Sequence, residues 1–130
     1  MRDHPDYRPG YVVVLDMVGR RGTRIPRESN SVAAAPQFVE AVWNVAKEEK
    51  LDIFADTPGV PVMDDHIAFL AAGIPAIDLI DLADPAWHTV SDVPANCSAE
   101  SLGQVGRLVL ALIRRAEEAG AGEGGAAFPP

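Results

Sequence analysis

A continuous run of apolar, mostly β-branched residues is the feature that most constrains how this chain can fold. Residues 11–15 (Tyr-Val-Val-Val-Leu) include no charged side chain, which is typical of a parallel-sheet strand covered on both faces. Asp16 follows directly, so the sequence predicts a carboxylate at the carboxyl end of a core strand. Loops at such strand ends commonly carry the chemistry of α/β proteins.

Two longer segments have helical spacing of apolar residues. The first, predicted as a helix over 36–49, starts at a proline and presents Glu and Lys opposite its apolar side. Its predicted buried residues are Phe38, Val39, Val42, Trp43 and Ala46. The second begins at Ser98. Its predicted apolar stripe comprises Leu102, Val105, Leu108, Val109, Leu112 and Ile113.

Shorter elements lie between these helices. The sequence predicts a short strand at 52–54 and a core strand at 76–81. Between them, Asp64 is predicted to cap a short helix that Gly73 and Pro75 end. Strands that alternate with helices indicate an α/β fold with a mostly parallel or mixed sheet flanked by helices.

The remaining segments are less regular. The segment 20–31 mixes four arginines with Gly, Pro, Asn and Ser, and is predicted to be a loop with solvated arginines and at most a short strand at 23–25. Residues 1–10 are expected to be an extended lead-in. We expect one domain over 1–118 and a disordered Ala/Gly/Pro tail over 119–130.

Composition excludes several classes of function. Eleven Lys and Arg against 19 Asp and Glu give a net charge of −8, which disfavours nucleic acid and anionic membranes as partners. No apolar run approaches the roughly 20 residues of a membrane span, and Arg2 and Asp3 open no signal peptide. The single cysteine, Cys97, permits no intrachain disulfide and is expected to be a small packed thiol.

Several acidic residues and histidines carry side chains suited to metal chemistry or proton transfer. A catalytic zinc takes oxygen and nitrogen ligands from three protein residues and keeps one position open. His4, near the start of the chain, is expected to be solvated. The candidates are Asp16, Asp64, Asp65, His66, Asp78, Asp81 and His88.

Each candidate also has a purely structural explanation. Asp16 suits a turn at a strand end, and Asp64 suits a helix cap followed by two ordinary residues of the first turn. His88 could simply pack on Trp87. Asp78 is harder to explain, since an unpaired carboxylate inside an apolar strand is costly, and we expect it to have a partner.

Four segments that occur in one order resemble a known enzyme family, the zinc aminopeptidases and glutaminyl-peptide cyclotransferases. The resemblance is to the carboxyl-terminal half of that family, in particular to its bacterial cyclotransferase-like peptidases, and runs from about Tyr11 to Ile113. The segments are 15–19 (Leu-Asp-Met-Val-Gly), 64–70 (Asp-Asp-His-Ile-Ala-Phe-Leu), 73–81 (Gly-Ile-Pro-Ala-Ile-Asp-Leu-Ile-Asp) and 87–89 (Trp-His-Thr). Also similar are 27–31 (Arg-Glu-Ser-Asn-Ser) and 97–102 (Cys-Ser-Ala-Glu-Ser-Leu).

The resemblance implies roles for individual residues. It makes Asp16 a zinc ligand if the enzyme is a two-zinc aminopeptidase, or an acid behind the metal if it is a one-zinc cyclotransferase. It makes His88 a zinc ligand in both cases. Trp87 resembles the wall of the substrate pocket, and Asp64 resembles a catalytic acid near the centre. Asp78 stands where the eukaryotic cyclotransferases have histidine, and we assign it to the substrate side of the site.

The resemblance also implies parts of a site that have no counterpart before Asp16. These are an upstream His-x-Asp segment, a bridging aspartate and a Glu-Glu or Glu-Asp pair that supplies the general base. Asp16 and His88 alone fall short of the three ligands of catalytic zinc. We therefore expect a zinc-dependent region that acts on peptide amino termini and is completed by a missing amino-terminal half or by another copy. Such a family would permit export, although the chain itself indicates no compartment.

Two other classes of function remain open. A truncated, non-catalytic module could associate through an uncovered sheet edge, because three predicted strands leave edges unprotected. A phospho-receiver-like domain would bind magnesium through an aspartate at a strand end and a nearby acidic pair. The pair at 64–65 precedes a late helix, however, and no lysine follows the last predicted strand.

Overall fold

Strands and helices alternate over residues 7–120, which are the residues that the computed structural model describes. This order confirms the predicted α/β class. The strands of this region are β1 (Val12–Asp16), β2 (Ile25–Arg27), β3 (Phe54–Pro58) and β4 (Ala76–Ile80). The helices are α1 (Ser29–Ala34), α2 (Pro36–Glu48), α3 (His66–Ala71) and α4 (Ala99–Gly120), with a 3₁₀ turn at Pro94–Asn96 before α4.

The strands form two parallel pairs. β1 pairs with β4 in unbroken register, from Val12 opposite Ala76 to Asp16 opposite Ile80. β2 pairs with β3, with one irregularity in the register. Because parallel strands end at the same edge, Asp16 and the segment that follows Ile80 lie at one end of the first pair.

The two strands of the first pair differ in burial. Every residue of β4 is buried, as predicted for a core strand. The prediction that β1 is covered on both faces is wrong, since its residues are half-buried or exposed and Leu15 is 45% exposed. Within residues 7–120, β1 pairs only with β4, so its outer edge is uncovered. β1 is therefore an edge strand of the described region.

The apolar core forms around α2, as its sequence pattern predicts. All five predicted core residues of this helix are buried, and its charged residues lie on the opposite side. Trp43 meets Phe54 of β3 edge to face at 6.2 Å, and its Nε1 donates to the carbonyl oxygen of Ala55 at 3.0 Å. The helix is thereby fixed against β3.

The inner side of α4 differs from its predicted stripe. Val105, Leu108 and Leu112 are buried as predicted, but Leu102 and Ile113 are about half exposed. Two polar residues of α4, Ser101 and Gln104, are buried in their place. Hydrogen bonds offset the cost of burying the Gln104 amide. Its nitrogen donates to Asp52 Oδ1 at 2.7 Å, and its oxygen accepts from the backbone N–H of Ile53.

The prediction of a loop over 20–31 is wrong, because this segment contains β2 and the start of α1. Its arginines are not uniformly solvated either. Arg20 binds Asp81 at 2.7 Å, and Arg27 binds both Glu40 and Asp56 at 2.7 Å. These ion pairs join distant parts of the chain, and no local pattern reveals them.

Two other boundaries need correction. The strand predicted at 52–54 is β3, which begins at Phe54 and continues into a segment predicted to be loop. The N-cap of α3 is Asp65, without a side-chain cap bond, and not Asp64. Gly73 ends α3 as predicted, with a φ of +71° that glycine adopts readily.

The structure also bears on the predictions for the chain ends and for Cys97. Ala119 and Gly120 belong to α4, and the rest of the predicted tail lies outside the described residues, as do His4 and most of the lead-in. Cys97 is exposed, so the prediction of a packed thiol is wrong. Its backbone forms an antiparallel bridge with Arg20 while its side chain stays at the surface. No helix in residues 7–120 is long and apolar enough to cross a membrane.

Candidate active site

Acidic side chains gather on one face of the β1–β4 pair. Asp16 ends β1 and is exposed, whereas Asp78 lies in the middle of β4 and is 1% exposed. Val14 is the register partner of Asp78, and residues two apart in a strand share a face. Asp16 and Asp78 therefore project from the same face of the pair.

Asp78 is a buried carboxyl group in an acidic environment. Neither of its oxygens has a hydrogen-bond partner among the described residues, although its backbone N–H donates to Ser31 Oγ at 3.1 Å. Burial is the largest cause that raises the pKa of Asp78 to about 7, and neighbouring carboxylates raise it further. Those neighbours are Asp64, Glu28, Asp16 and Asp65, in order of decreasing effect. No lysine or arginine of the described residues is among the groups that shift the pKa of Asp78. The partner expected for this carboxyl group is therefore not one of these cations.

A fully buried histidine lies between two carboxylates. His66 Nδ1 is 3.6 Å from Asp78 Oδ2, and His66 Nε2 is 3.3 Å from Glu28 Oε2. The prediction that His66 is an ordinary residue of the first helical turn is wrong, because α3 packs this turn inward against β4. Glu28, His66 and Asp78 thus form a row of three buried titratable groups.

Glu28 is fixed by four hydrogen bonds. Its Oε1 accepts from the backbone N–H groups of Asn30 and Val62 at 2.9 and 2.8 Å. Its Oε2 accepts from the N–H and the hydroxyl of Ser31, both at 2.6 Å. Burial alone would raise the pKa of Glu28, but these bonds outweigh burial and hold the pKa below its ordinary value. The only signal for Glu28 in the sequence was the resemblance of the segment 27–31.

Asp64 stands just before α3, next to this row. Its Oδ1 accepts from the N–H of Asp65 at 2.7 Å, while its Oδ2 is buried without a hydrogen-bond partner among the described residues. Of the neighbouring carboxylates, it has the largest electrostatic effect on Asp78. Two predicted site residues, Asp16 and Asp64, therefore lie within electrostatic range of a third, Asp78.

Trp87 and His88 lie in the exposed segment after β4. Their rings stack with centroids 4.3 Å apart, which is the structural alternative expected for this histidine. His88 also has a left-handed backbone with φ +58°, and so does Met17, which directly follows Asp16. Such conformations are uncommon outside glycine and cluster at functional sites. Both residues proposed as zinc ligands thus lie at or beside an unusual backbone position.

The described residues alone do not make a metal centre. Within residues 7–120, no group of three or more His, Cys, Asp or Glu side chains is arranged to hold a metal ion. Asp16 and His88 would contribute two ligands, whereas catalytic zinc takes three from protein. The two ring nitrogens of the buried His66 already face carboxylate oxygens of Glu28 and Asp78, at 3.3 and 3.6 Å. The donor set of this region does not fit zinc by itself.

A cavity of about 510 Å³ opens on the other side of Glu28. Its walls are mostly apolar, from the ends of β2, β3 and β4, and its charged lining residues are Arg24, Glu28 and Asp81. Its walls include the candidate Asp81 but none of the residues to which the resemblance assigns a role, which are Asp16, Asp64, Asp78, Trp87 and His88. The cavity and the acidic cluster therefore share only the Glu28 side chain.

Known proteins resemble this chain in sequence and fold. The model of peptidase family M28 matches residues 2–113. The mouse glutaminyl-peptide cyclotransferase-like protein is 39% identical over 59 residues, which cover 45% of this chain and 15% of that protein. The crystal structure of Fimbriiglobus ruber glutaminyl cyclase is 35% identical with a TM-score of 0.79, and the match covers 85% of this chain and 38% of that one.

A Zn-dependent exopeptidase from Parabacteroides distasonis is similar as well, at 32% identity and a TM-score of 0.79 over 84% of this chain and 40% of that one. The chain thus spans 40% or less of each of these three proteins. The matches confirm the resemblance found in the sequence and the α/β fold of parallel strands flanked by helices. With most of its length matched by one family model, the chain belongs to peptidase family M28.

Proposed function

We propose that this chain forms part of the active site of an enzyme that acts on peptide amino termini, either by hydrolysis or by cyclisation of an amino-terminal glutamine. The observation that carries this proposal is the buried carboxyl group of Asp78 beside Asp64 and Asp16. Carboxyl groups whose pKa values are shifted by burial and like charges are typical of acid–base sites. Membership of a peptidase family and similarity to glutaminyl cyclases support the same class of reaction.

The burial and the neighbours of each residue indicate its role in the reaction. Asp78, with a pKa raised to about 7, can hold a proton near neutral pH and so keep an uncharged carboxyl group on the substrate side of the site. Asp64, with an unpartnered buried oxygen, would transfer the proton between the attacking group and the leaving group. Trp87, which is 46% exposed, would form a wall against which the substrate packs.

We assign Asp16 and His88 to this chain's share of a zinc ligand set. The remaining ligands and the general base would come from polypeptide outside residues 7–120 or from another copy of the chain. Two observations support this assignment: both residues are exposed, and both are next to or at a left-handed backbone position.

A calorimetric zinc titration of the chain together with the polypeptide that supplies the remaining ligands tests this assignment. We expect binding at micromolar Kd or tighter, worth about −8 kcal/mol, that is lost in His88→Ala and kept in His4→Ala. Absent or millimolar binding, or binding that His88→Ala leaves unchanged, would contradict it. Mass spectrometry of peptide products would then separate the two reactions, because hydrolysis adds water and glutamine cyclisation releases ammonia.

The uncovered edge of β1 favours a second candidate, a non-catalytic module that associates through this edge. Within residues 7–120 no strand pairs with the outer side of β1, and Leu15 near its end is 45% exposed. Exposed strand edges readily pair with other chains. Dimerisation that depends on concentration but not on zinc, measured by sedimentation, would support this candidate. A zinc-free monomer at high concentration would exclude it.

A further inference from the structure

We propose that His66 is a positioning residue, held at Nε2 by Glu28 and fixing at Nδ1 the carboxyl group of Asp78 that faces Asp64. This inference rests on the proposed function, because it assigns His66 a role in the same site. It gives a specific role to His66, which the sequence marked only as one of several candidates, and adds Glu28, to which the sequence assigned no role.

The three groups are shielded from solvent by the described residues around them. Glu28, His66 and Asp78 are 2%, 0% and 1% exposed. Both ring nitrogens of His66 and both carboxyl oxygens of Asp78 lack a hydrogen-bond partner among the described residues, and the contacts of His66 at 3.3 Å to Glu28 and 3.6 Å to Asp78 are at ion-pair distances. Buried polar groups of this kind are costly unless they satisfy each other. The row is therefore a candidate for a defined hydrogen-bonded chain.

The contacts of Glu28 set the direction of this chain. An ionised carboxylate only accepts hydrogen bonds, and Glu28 already accepts four. His66 Nε2, at 3.3 Å from Glu28 Oε2, must therefore be the nitrogen that carries a proton toward it. With Nε2 protonated, a neutral imidazole offers Nδ1 as an acceptor to the hydroxyl of a protonated Asp78.

One proton thus belongs between His66 Nδ1 and Asp78 Oδ2, which are 3.6 Å apart. Acid–base contacts are often long before substrate binds and then shorten. Within residues 7–120, the charged groups that raise the pKa of Asp78 are all carboxylates, and His66 is the basic side chain that forms an ion-pair contact with it. Glu28, anchored at the start of α1, keeps the imidazole from turning away, and Asp78 is held for the reaction beside Asp64.

Nitrogen NMR of the ¹⁵N-labelled chain tests the geometry without any assay of activity. At pH 7 we expect a slowly exchanging Nε2–H signal of a buried imidazole that His66→Gln removes. Glu28→Gln and Asp78→Asn should both move this signal, and Glu117→Gln, an exposed change of the same type on α4, should not. Two results would overturn the proposal: a His66 signal without a protected Nε2–H, or an Nε2–H signal that Glu28→Gln leaves in place. The protected Nε2–H is measured on the unmodified chain, so this test holds even if the variants fail to fold.

The pH profile of kcat in the complete polypeptide separates positioning from a merely structural role. We expect His66→Gln to lower kcat about 10-fold with little change in KM and to move the limb of the profile that reports Asp78. His66→Asn, whose amide oxygen can take the place of Nδ1 and accept from Asp78, should restore part of kcat. An unchanged pH profile would overturn the positioning role while the NMR geometry stands. An unmodified polypeptide that is inactive on peptides of either kind would instead overturn the proposed function, and the positioning role with it.

Discussion

The guanidinium group of Arg20 holds the buried carboxylate of Asp81 at 2.7 Å and so ties the loop after β1 to the end of β4. Asp81 Oδ2 also accepts from the hydroxyl of Thr23 at 2.6 Å, and the carboxylate is 1% exposed. This ion pair spans 61 residues and fixes the carboxyl end of the strand that carries Asp78.

Arg20→Met should lower the free energy of unfolding by about 3 kcal/mol. The methionine keeps part of the apolar stem, but it strands the Asp81 carboxylate in the protein interior without its cation, which is the costly way to break a buried ion pair. Urea unfolding at pH 7 measures the effect. Arg21→Met is the matched control, because Arg21 is exposed and its described hydrogen bond uses the backbone. Equal losses in both variants would contradict the role of the ion pair.

Asp78 should make stability fall as pH rises from about 4 to 7. Its pKa is raised to about 7 in the folded state from an ordinary value of 3.8, so across this window the folded state holds a proton that the unfolded state has released. The contribution is fully present below the unfolded pKa and is lost as pH passes the folded pKa, by up to about 1.4 kcal/mol per pH unit for one proton.

Asp78→Asn removes this titration, so the stability of the variant relative to the unmodified chain should rise between pH 5 and pH 7. The difference between the two chains is the quantity to measure by urea unfolding at each pH. Glu28 acts in the opposite sense, because its pKa is lowered from an ordinary value of 4.5, and its contribution is lost only as pH falls below the measured range. A difference that stays constant with pH would show that Asp78 titrates normally.

The fold was predictable where one segment alone decides its structure. The apolar face of α2 and the burial of β4 follow from local patterns, and the structure has both. β3 was largely missed because its residues Phe-Ala-Asp-Thr-Pro favour turns as much as strands. It is a strand because it pairs with β2, and the N–H of Ile25 donates to the carbonyl oxygen of Ile53 at its start.

The residues of the candidate site were likewise predictable only where the local sequence or the resemblance marks them. Asp16 and Asp78 could be found because a carboxylate beside or inside an apolar strand is conspicuous, and the resemblance singled out Asp64 and His88. The contact between Glu28 and His66 could not be predicted, although His66 was one of the candidates, because only the packing of α1 and α3 against β4 buries them together. A glutamate and a histidine 38 positions apart carry no local sign of such a contact.

Gly59→Ala should destabilise the protein, whereas Gly106→Ala should stabilise it. A Cβ at Gly59 would lie 2.9 Å from the carbonyl oxygen of Arg27, and the Gly59 N–H donates to that same oxygen at 2.7 Å, so the backbone would have to move. A Cβ at Gly106 meets nothing within 4 Å and removes a helix-weakening glycine from α4, which is worth up to about 1 kcal/mol. Thermal unfolding of the two variants compares the signs. A stabilising Gly59→Ala would show that this turn relaxes freely.

Leu108→Ala should cost about 3 kcal/mol of unfolding free energy, while Leu110→Ala should cost less than about 0.5 kcal/mol. Both leucines lie in α4, so the change in helix propensity is the same and only packing differs. Leu108 is 0% exposed and belongs to the core, whereas Leu110 is 55% exposed. Denaturant unfolding of the two variants checks the orientation of the helix directly. Similar costs at the two positions would mean that another molecule or segment covers the outer side of α4, or that the helix is rotated from the orientation described.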